Sequence, residues 1–233
     1  MKNGHAPGPS PTPSPASQEP PIGTRSFVPP DYHLPDGYDA VGVLAFRAPA
    51  AGDTERGRRI LICKAYVTTL PDASTVFQQS PDTPQIVTLW PLNGIDKPWS
   101  VDAPPAGPML DALCATSVDH YAHLAGDRWL ARLPAEVRPA ANRRGPFLIA
   151  WAPPSTQVDP NKPVLIVDLT DFQQEGTILE AFAIWKDRIE ANPDLWSHGW
   201  DRTLLKLQLQ AVSDHYGGLV LAAFKLLPFV GDE

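Results

Sequence analysis

Apolar residues recur along the chain in two patterns, one typical of strands and one typical of helices. Strand-like segments occupy residues 40–48, 60–70 and 86–90, and two continuous apolar runs, PFLIAWAP and PVLIVDLTDF, begin at Pro146 and Pro163. Runs without polar alternation are typical of strands that are covered on both faces. They predict five strands, the last two joined as a long hairpin near the middle of a sheet.

Helical spacing is found in three other segments. Residues 109–125 keep apolar positions on one face, and Gly126 supplies a C-terminal stop. Thr177 and Glu180 have the spacing of a capping box, and an apolar face follows them. A further helix is predicted over residues 205–216. The apolar face after the capping box consists of Ile178, Phe182, Trp185 and Ile189.

The order of these elements predicts the fold class. Three strands, a helix, two strands and two helices do not alternate as the elements of a doubly wound sheet do. We therefore expect an α+β fold, a mainly antiparallel or mixed sheet of five or six strands with three or four helices packed on it. The segment PDASTVFQQSPDTP carries proline and polar breakers and is predicted as a loop. Residues 219–227 fit a helix or a strand.

Composition changes sharply near residue 37. The first 36 residues hold ten of the 28 prolines, many alternating with small or polar residues. Such a segment buries too little apolar surface to fold. We expect a disordered proline-rich tail over residues 1–36 and a single α+β domain over residues 37–233.

Charge and hydropathy exclude two classes of partner. The formal net charge of −7 is opposite to that of a nucleic-acid binder, which clusters Lys and Arg against phosphates. The small basic run at Arg56, Arg58 and Arg59 is interpreted as solvated loop charge. No stretch approaches the about 18 apolar residues of a membrane span, and the N-terminus lacks the apolar core of a signal peptide. We expect a cytoplasmic protein that binds neither nucleic acid nor membrane.

Two cysteines are too few for a disulfide framework. Cys63 lies in ILICKAYV and Cys114 in LDALCATSV, both apolar surroundings. In a cytosolic chain we expect two buried thiols, although a single bridge is compatible with the sequence.

The best candidates for catalysis are Asp168 and Asp171, since carboxylates after a buried strand often lie where α/β proteins bind Mg²⁺ or phosphate. A DxD pattern would need a second carboxylate at position 170, where Thr170 stands. Ordinary turn chemistry explains both aspartates, so no catalytic residue is assigned.

Metal and nucleophile patterns are also absent from the sequence. Cys114, His120 and His123 do not converge on one helical face, and no GxSxG elbow occurs. We expect no metal and no cofactor.

Aromatic residues supply the binding candidates. Trp196, His198 and Trp200 lie together in a predicted turn, and Trp151 lies on the neighbouring strand. Indoles combine a broad apolar face with one donor and are common at interfaces. We expect a non-enzymatic protein-interaction or adaptor module that presents this turn or a sheet edge to a protein partner. The alternatives are a metal-dependent phosphoester hydrolase using Asp168 and Asp171, and a small-ligand sensor with a tryptophan-lined pocket. The sequence does not indicate the oligomeric state.

Overall fold

The structure is a computed structural model that describes residues 20–33, 37–101, 103–133, 145–152, 165–190 and 224–226. These residues form six strands and five helices. The strands are β1 (Ile22–Val28), β2 (Ala40–Ala45), β3 (Gln85–Pro91), β4 (Phe147–Trp151), β5 (Leu165–Asp168) and β6 (Phe224–Leu226). The helices are α1 (Asp53–Thr69), α2 (Ala73–Gln79), α3 (Pro108–Asp119), α4 (His123–Ala131) and α5 (Glu175–Glu190).

The strands form one mixed sheet in the order β1-β3-β2-β4-β5-β6. The pairs β1–β3 and β3–β2 are parallel, whereas β2–β4, β4–β5 and β5–β6 are antiparallel. The described residues therefore form an α/β fold with a mixed sheet, which the prediction allowed, although its parallel half was not expected. Their six strands agree with the five or six predicted, but they form five helices instead of three or four.

The main cause of this difference is α1. Residues 60–70 were predicted as a strand, but they belong to a 17-residue helix that carries the chain from β2 to the parallel strand β3. The run ILICKAYV is too short and too apolar for its periodicity to distinguish a buried strand from a buried helix. Residues 73–79, predicted as loop, form α2, which Asp72 caps by accepting hydrogen bonds from the amides of Ser74 and Thr75.

The predicted tail also contains a strand. Residues 22–28 form β1, so the folded domain includes sequence that composition had assigned to the disordered segment. Proline content dominates residues 1–36, but the run IGTRSFV within it holds no proline and buries Phe27 and Val28 completely. Residues 1–19 and 34–36 lie outside the described part of the chain.

β1 is fixed by a buried arginine. Arg25 is fully buried, and its guanidinium donates to the carbonyls of Val67 and Val101 and to the carboxylate of Asp72. The outer edge of the strand is covered as well, because the amide of Arg25 bonds the Pro71 carbonyl and the amide of Trp99 bonds the Phe27 carbonyl.

The sheet separates two apolar layers. One contains the buried side chains of α1, α3 and α5 and is centred on Trp90 and Trp185. The other is formed by α4 with the opposite face of the sheet, and Trp129 and Trp151 belong to it. α3 and α4, which are adjacent in sequence, therefore lie on opposite faces of the sheet.

The sequence prediction is most accurate for β4, β5 and α5. β4 and β5 are adjacent, antiparallel and buried at every position, as predicted. α5 buries Ile178, Phe182 and Trp185, also as predicted, although it begins at Glu175 rather than after a cap at Thr177. The helix predicted over residues 205–216 lies outside the described residues, and the ambiguous segment 219–227 contains strand β6.

Cys63 of α1 and Cys114 of α3 form a disulfide, so the prediction of two free thiols was wrong. Both residues are fully buried where the two helices pack. Their apolar surroundings in the sequence predict that both residues are buried, but not that the two helices bring them together. Disulfides are rare in reducing compartments, so this bond argues against the cytosolic location expected from the sequence.

Removing the disulfide should destabilise the fold substantially. The bond joins residues 51 apart in sequence, and cross-linking a loop of that length is worth about 4 kcal/mol. We expect the double variant Cys63→Ala/Cys114→Ala to lose about this much free energy of unfolding in a urea titration. Wild type treated with reductant is the matched control and should fall to a similar value. Two reactive thiols in the denatured, unreduced wild type would contradict the disulfide.

Candidate functional site

The ends of five strands meet at one edge of the sheet, which we call the carboxyl edge. β1, β3 and β2 are parallel, so their C-terminal ends lie there. β4 begins at this edge and β5 ends there, since Phe147 pairs with both Ala45 and Asp168. In open α/β sheets, ligands bind outside this edge where neighbouring connections leave to opposite faces. The carboxyl edge is therefore where a ligand site is expected.

The connection from α3 to α4 crosses this edge at the end of β3. The amide of Ala122 bonds the Pro91 carbonyl at 3.0 Å, and the amide of Asn93 bonds the His120 carbonyl at 2.8 Å. The predicted single helix over residues 109–125 is thus interrupted where the chain passes from one face of the sheet to the other. Gly126, predicted as a helix stop, lies inside α4.

Gly126 is required by a close approach. A Cβ at this position would lie 2.6 Å from the Tyr121 hydroxyl and 2.9 Å from the Phe46 carbonyl oxygen. The Tyr121 hydroxyl in turn donates to the Leu44 carbonyl at 2.8 Å and accepts from the Phe46 amide at 3.1 Å. Burial raises the pKa of Tyr121, which keeps the hydroxyl protonated as a donor. α4 is therefore seated directly against the end of β2.

A row of cationic and aromatic groups continues from this contact. The guanidinium of Arg59 lies 4.8 Å from the centre of the Phe46 ring. The Phe46 and Tyr121 rings pack edge-on with their centres 4.5 Å apart, and the centres of the Tyr121 and His123 rings are 4.9 Å apart. Burial lowers the pKa of His123, and the positive charge of Arg59 lowers it further. A hydrogen bond with the Phe46 main chain opposes this lowering but does not cancel it, so His123 is neutral at pH 7.

Glu55 pairs with two arginines in the first turns of α1. Its carboxylate accepts two hydrogen bonds from Arg58 at 2.8 Å and one from Arg59 at 3.0 Å. Burial alone would raise the pKa of Glu55, but the hydrogen bonds and charges of the two arginines outweigh it and lower the pKa. The prediction that Arg58 and Arg59 are solvated loop charges was wrong, since both are buried.

Arg58 links α1 to the ends of two strands. Its guanidinium donates to the carbonyls of Gly145, Leu169 and Thr170 at 2.9, 3.0 and 3.2 Å. These carbonyls lie just before β4 and just after β5. The guanidinium is saturated by fixed partners, and we interpret it as a support of the carboxyl edge.

The predicted catalytic aspartates do not form a site with each other. Asp168 ends β5, is almost fully buried, and accepts a hydrogen bond from the Thr170 amide at 2.9 Å. Asp171 is exposed in the turn that follows β5, and it is not without a partner. No group of three or more metal-ligating side chains occurs within the part of the chain that the structure describes. The geometry at Asp168 is that of a strand-end turn.

The residues weighed for a metal site and the predicted binding residues do not come together either. Cys114 is held in the disulfide, while His120 follows α3 and His123 begins α4, so the two histidines do not share a helical face. Trp151 is 2% exposed and belongs to the core, which removes it from the binding candidates. Trp196, His198 and Trp200 lie outside the described residues.

Two grooves flank an ion pair between α4 and the segment that follows β1. Arg128 bonds the Asp31 carboxylate at 2.6 Å and the Pro30 carbonyl at 3.3 Å, which forms a ridge. On one side lies a groove of about 730 Å³, here called the Leu124 groove. On the other side lies a groove of about 350 Å³, here called the Trp129 groove. The volumes of both are in the range of ligand sites, about 300–1,000 Å³.

The Leu124 groove combines an apolar surface with unpaired polar groups. Leu124 is 78% exposed, the most exposed large hydrophobic residue among those the structure describes. Asp127 is exposed and forms no ion pair with any described residue, and His123 lies beside it. The remaining lining residues are Pro30, Asp31, Asn93, Ala122, Arg128 and Ala131.

The sequence pattern concealed this groove. Leu124 has the helical spacing of a buried position in the predicted helix 109–125, and so does Met109, but these residues are 78% and 68% exposed. The predicted helix runs across residues 120–122, where the chain crosses the sheet edge between α3 and α4. The helical spacing therefore does not continue from one helix into the other. In the sequence, only the polar residues His123, Asp127 and Arg128 around Leu124 point to this segment.

Comparison with known proteins found no match to a protein-family model, to a curated protein or to a solved structure. No described helix is long and apolar enough to cross a membrane.

If Arg58 supports the carboxyl edge, replacing it should destabilise the fold. Arg58→Met would remove the guanidinium donor from the Gly145, Leu169 and Thr170 carbonyls and leave Glu55 paired with Arg59 alone. Breaking a buried pair in this way costs about 3–5 kcal/mol. The matched control is Arg56→Met, which removes an exposed pair with Asp119 and should barely move the urea midpoint. Equal effects of the two variants would contradict a supporting role for Arg58.

The lowered pKa of Glu55 predicts a pH dependence. Its charged form is favoured in the folded state, so its contribution to stability is present above the ordinary carboxyl range. The contribution is lost as pH falls through the lowered folded-state pKa. We expect the difference in unfolding free energy between wild type and Glu55→Gln to be largest near pH 7 and to shrink towards acid. A difference that is constant with pH would contradict the ion pair.

Proposed function

We propose that the protein is a non-enzymatic interaction module that binds a protein partner in the Leu124 groove. The observation that carries the proposal is the exposure of Leu124 beside Asp127, on a helix that is otherwise seated firmly on the sheet. The Asp127 carboxylate has no ion-pair partner in the described part of the chain. An exposed leucine in a concave surface gains free energy when a partner covers it. Because α4 is held firmly against the sheet, little conformational entropy is lost when a partner binds.

Charge complementarity indicates the chemistry of the partner. The charged residues that line the groove are two carboxylates, Asp31 and Asp127, and one guanidinium, Arg128, which pairs with Asp31. The unpaired negative charge suits a Lys or Arg placed next to an apolar side chain. We therefore propose an extended segment with an apolar residue beside a basic one.

Two other locations for function receive less support. The β1 edge is covered through Pro71 and Trp99, which disfavours addition of a partner strand there. The alternative of a metal-dependent hydrolase would use Asp168 and Asp171, but the first is engaged in a turn. No catalytic residue is proposed, and the cytoplasmic location stays a prediction that the disulfide opposes.

The test is a selection from a random peptide library displayed on phage, using the full-length protein as target and Leu124→Arg for counter-selection. We expect the enriched peptides to carry an apolar residue next to Lys or Arg. Affinity for Leu124→Arg should fall at least about tenfold, as for the loss of an interface hot spot. Asp127→Asn should weaken binding only of peptides that contain the basic residue.

Met109→Arg is the matched control, because Met109 is an exposed apolar residue on α3 that lies outside the groove. It should bind the selected peptides as wild type does. The proposal fails if no peptide is enriched, or if Leu124→Arg and Met109→Arg bind equally well. Loss of binding in Asp168→Asn with Leu124→Arg unaffected would move the site to the end of β5.

A further inference from the structure

Two oxygen acceptors lie next to each other at the edge of the sheet opposite the carboxyl edge, which we call the amino edge. The three parallel strands begin there, β1 at Ile22, β2 at Ala40 and β3 at Gln85. The amide of Asp39, the residue before β2, donates to the main-chain carbonyl of Gln85 at 3.0 Å. The side chains of Asp39 and Gln85 therefore start from adjacent positions, about 5 Å apart.

Each of these side chains has a buried oxygen without a donor. Gln85 is 3% exposed, and its Oε1 has no hydrogen-bond partner among the described residues. Asp39 is half-buried, and its Oδ2 is buried without a partner in the same part of the chain. Leaving such acceptors unpaired costs free energy, and a bound ion is one of the ways in which folded proteins satisfy them.

The chemistry of the two acceptors determines what can satisfy them. Two oxygens cannot bond each other while Asp39 is ionised, so the group between them has to carry positive charge. Burial raises the pKa of Asp39, and no positive charge among the described residues offsets that effect. A bound cation would remove the cost of this unpaired carboxylate.

The ligand types favour calcium. Ca²⁺ takes carboxylate and amide oxygens at about 2.3–2.6 Å in a flexible geometry, so one ion can contact two oxygens up to about 5 Å apart. Mg²⁺ loses its water reluctantly, which disfavours contact with the buried Oε1 of Gln85. The sequence shows no trace of such a site, because Asp39 and Gln85 form no local motif.

From these features we propose that Asp39 and Gln85 bind a calcium ion at the amino edge. The Oδ2 of Asp39 supplies the charged ligand and the Oε1 of Gln85 a neutral one, while water and main-chain carbonyls complete the shell. One carboxylate gives a weak site, with a dissociation constant of about 10⁻⁴–10⁻³ M, as in extracellular calcium modules. The disulfide also favours an oxidising compartment. The inference does not rest on the proposed peptide binding.

Thermal unfolding of the full-length protein, followed by circular dichroism in EDTA and across a calcium titration, tests the inference. We expect Ca²⁺ to raise the Tm of wild type, because an ion that binds only the folded state stabilises it. The effect should be half-maximal at about 10⁻⁴–10⁻³ M Ca²⁺, and Mg²⁺ at the same concentration should give less than about half of the shift.

Matched variants locate the site. Asp39→Asn should lose the calcium response, and Gln85→Met should need at least about tenfold more Ca²⁺. In EDTA, Asp39→Asn should be at least as stable as wild type, because it removes a buried unpaired charge. Asp96→Asn, which removes an exposed carboxylate elsewhere, is the control and should respond as wild type does. Leu124→Arg should also keep the response, which separates this inference from the proposed function.

Three results would overturn the inference. The first is no change in the Tm of wild type up to about 10 mM Ca²⁺. The second is an equal shift in wild type and Asp39→Asn, which would show non-specific binding to an acidic chain. The third is an equal loss of stability in Asp39→Asn with and without Ca²⁺, which would show that the Gln85 amide bonds the carboxylate within the fold. A cooperative transition in each variant verifies that it is folded.

Discussion

The buried polar side chains of α1 are the constraint on which the rest of the structure depends. The Tyr66 hydroxyl accepts from the Ser26 amide and lies 2.8 Å from the Thr88 carbonyl, joining α1 to β1 and β3. Arg58 joins the same helix to the ends of β4 and β5, and the disulfide at Cys63 joins it to α3. A buried polar group that loses its partner costs about 1–3 kcal/mol, so these contacts fix where α1 lies across the sheet.

This arrangement determines where function can lie. The carboxyl edge holds a buried cluster of charged groups, but Glu55, Arg58 and Asp168 are engaged by main-chain and side-chain partners. A group saturated by the fold has little capacity left for a ligand. The connection that crosses the edge carries the chain to the opposite face, where α4 and the residues after β1 leave two grooves. We therefore place binding beside α4 and structural support at the edge.

The sequence predicts the second half of the fold better than the first, for physical reasons. β4 and β5 follow from continuous apolar runs, and the buried face of α5 follows from helical spacing of apolar residues. Phe182 and Trp185 are buried where that spacing predicts. α1 was missed because an apolar run around Cys63 fits either a buried strand or a buried helix. The grooves were missed because the exposure of Leu124 depends on a chain crossing, and charge pairing between residues as distant as Asp31 and Arg128 leaves no local pattern.

The most direct test of this account is a map of backbone amide chemical shifts in the full-length protein, recorded with and without a selected peptide. The account predicts that the changes concentrate in residues 30–33 and 122–132. The amides of Glu55, Arg58 and Asp168 should barely move. Changes centred on those three residues, with α4 unaffected, would show that the carboxyl edge is the functional site and would contradict the account.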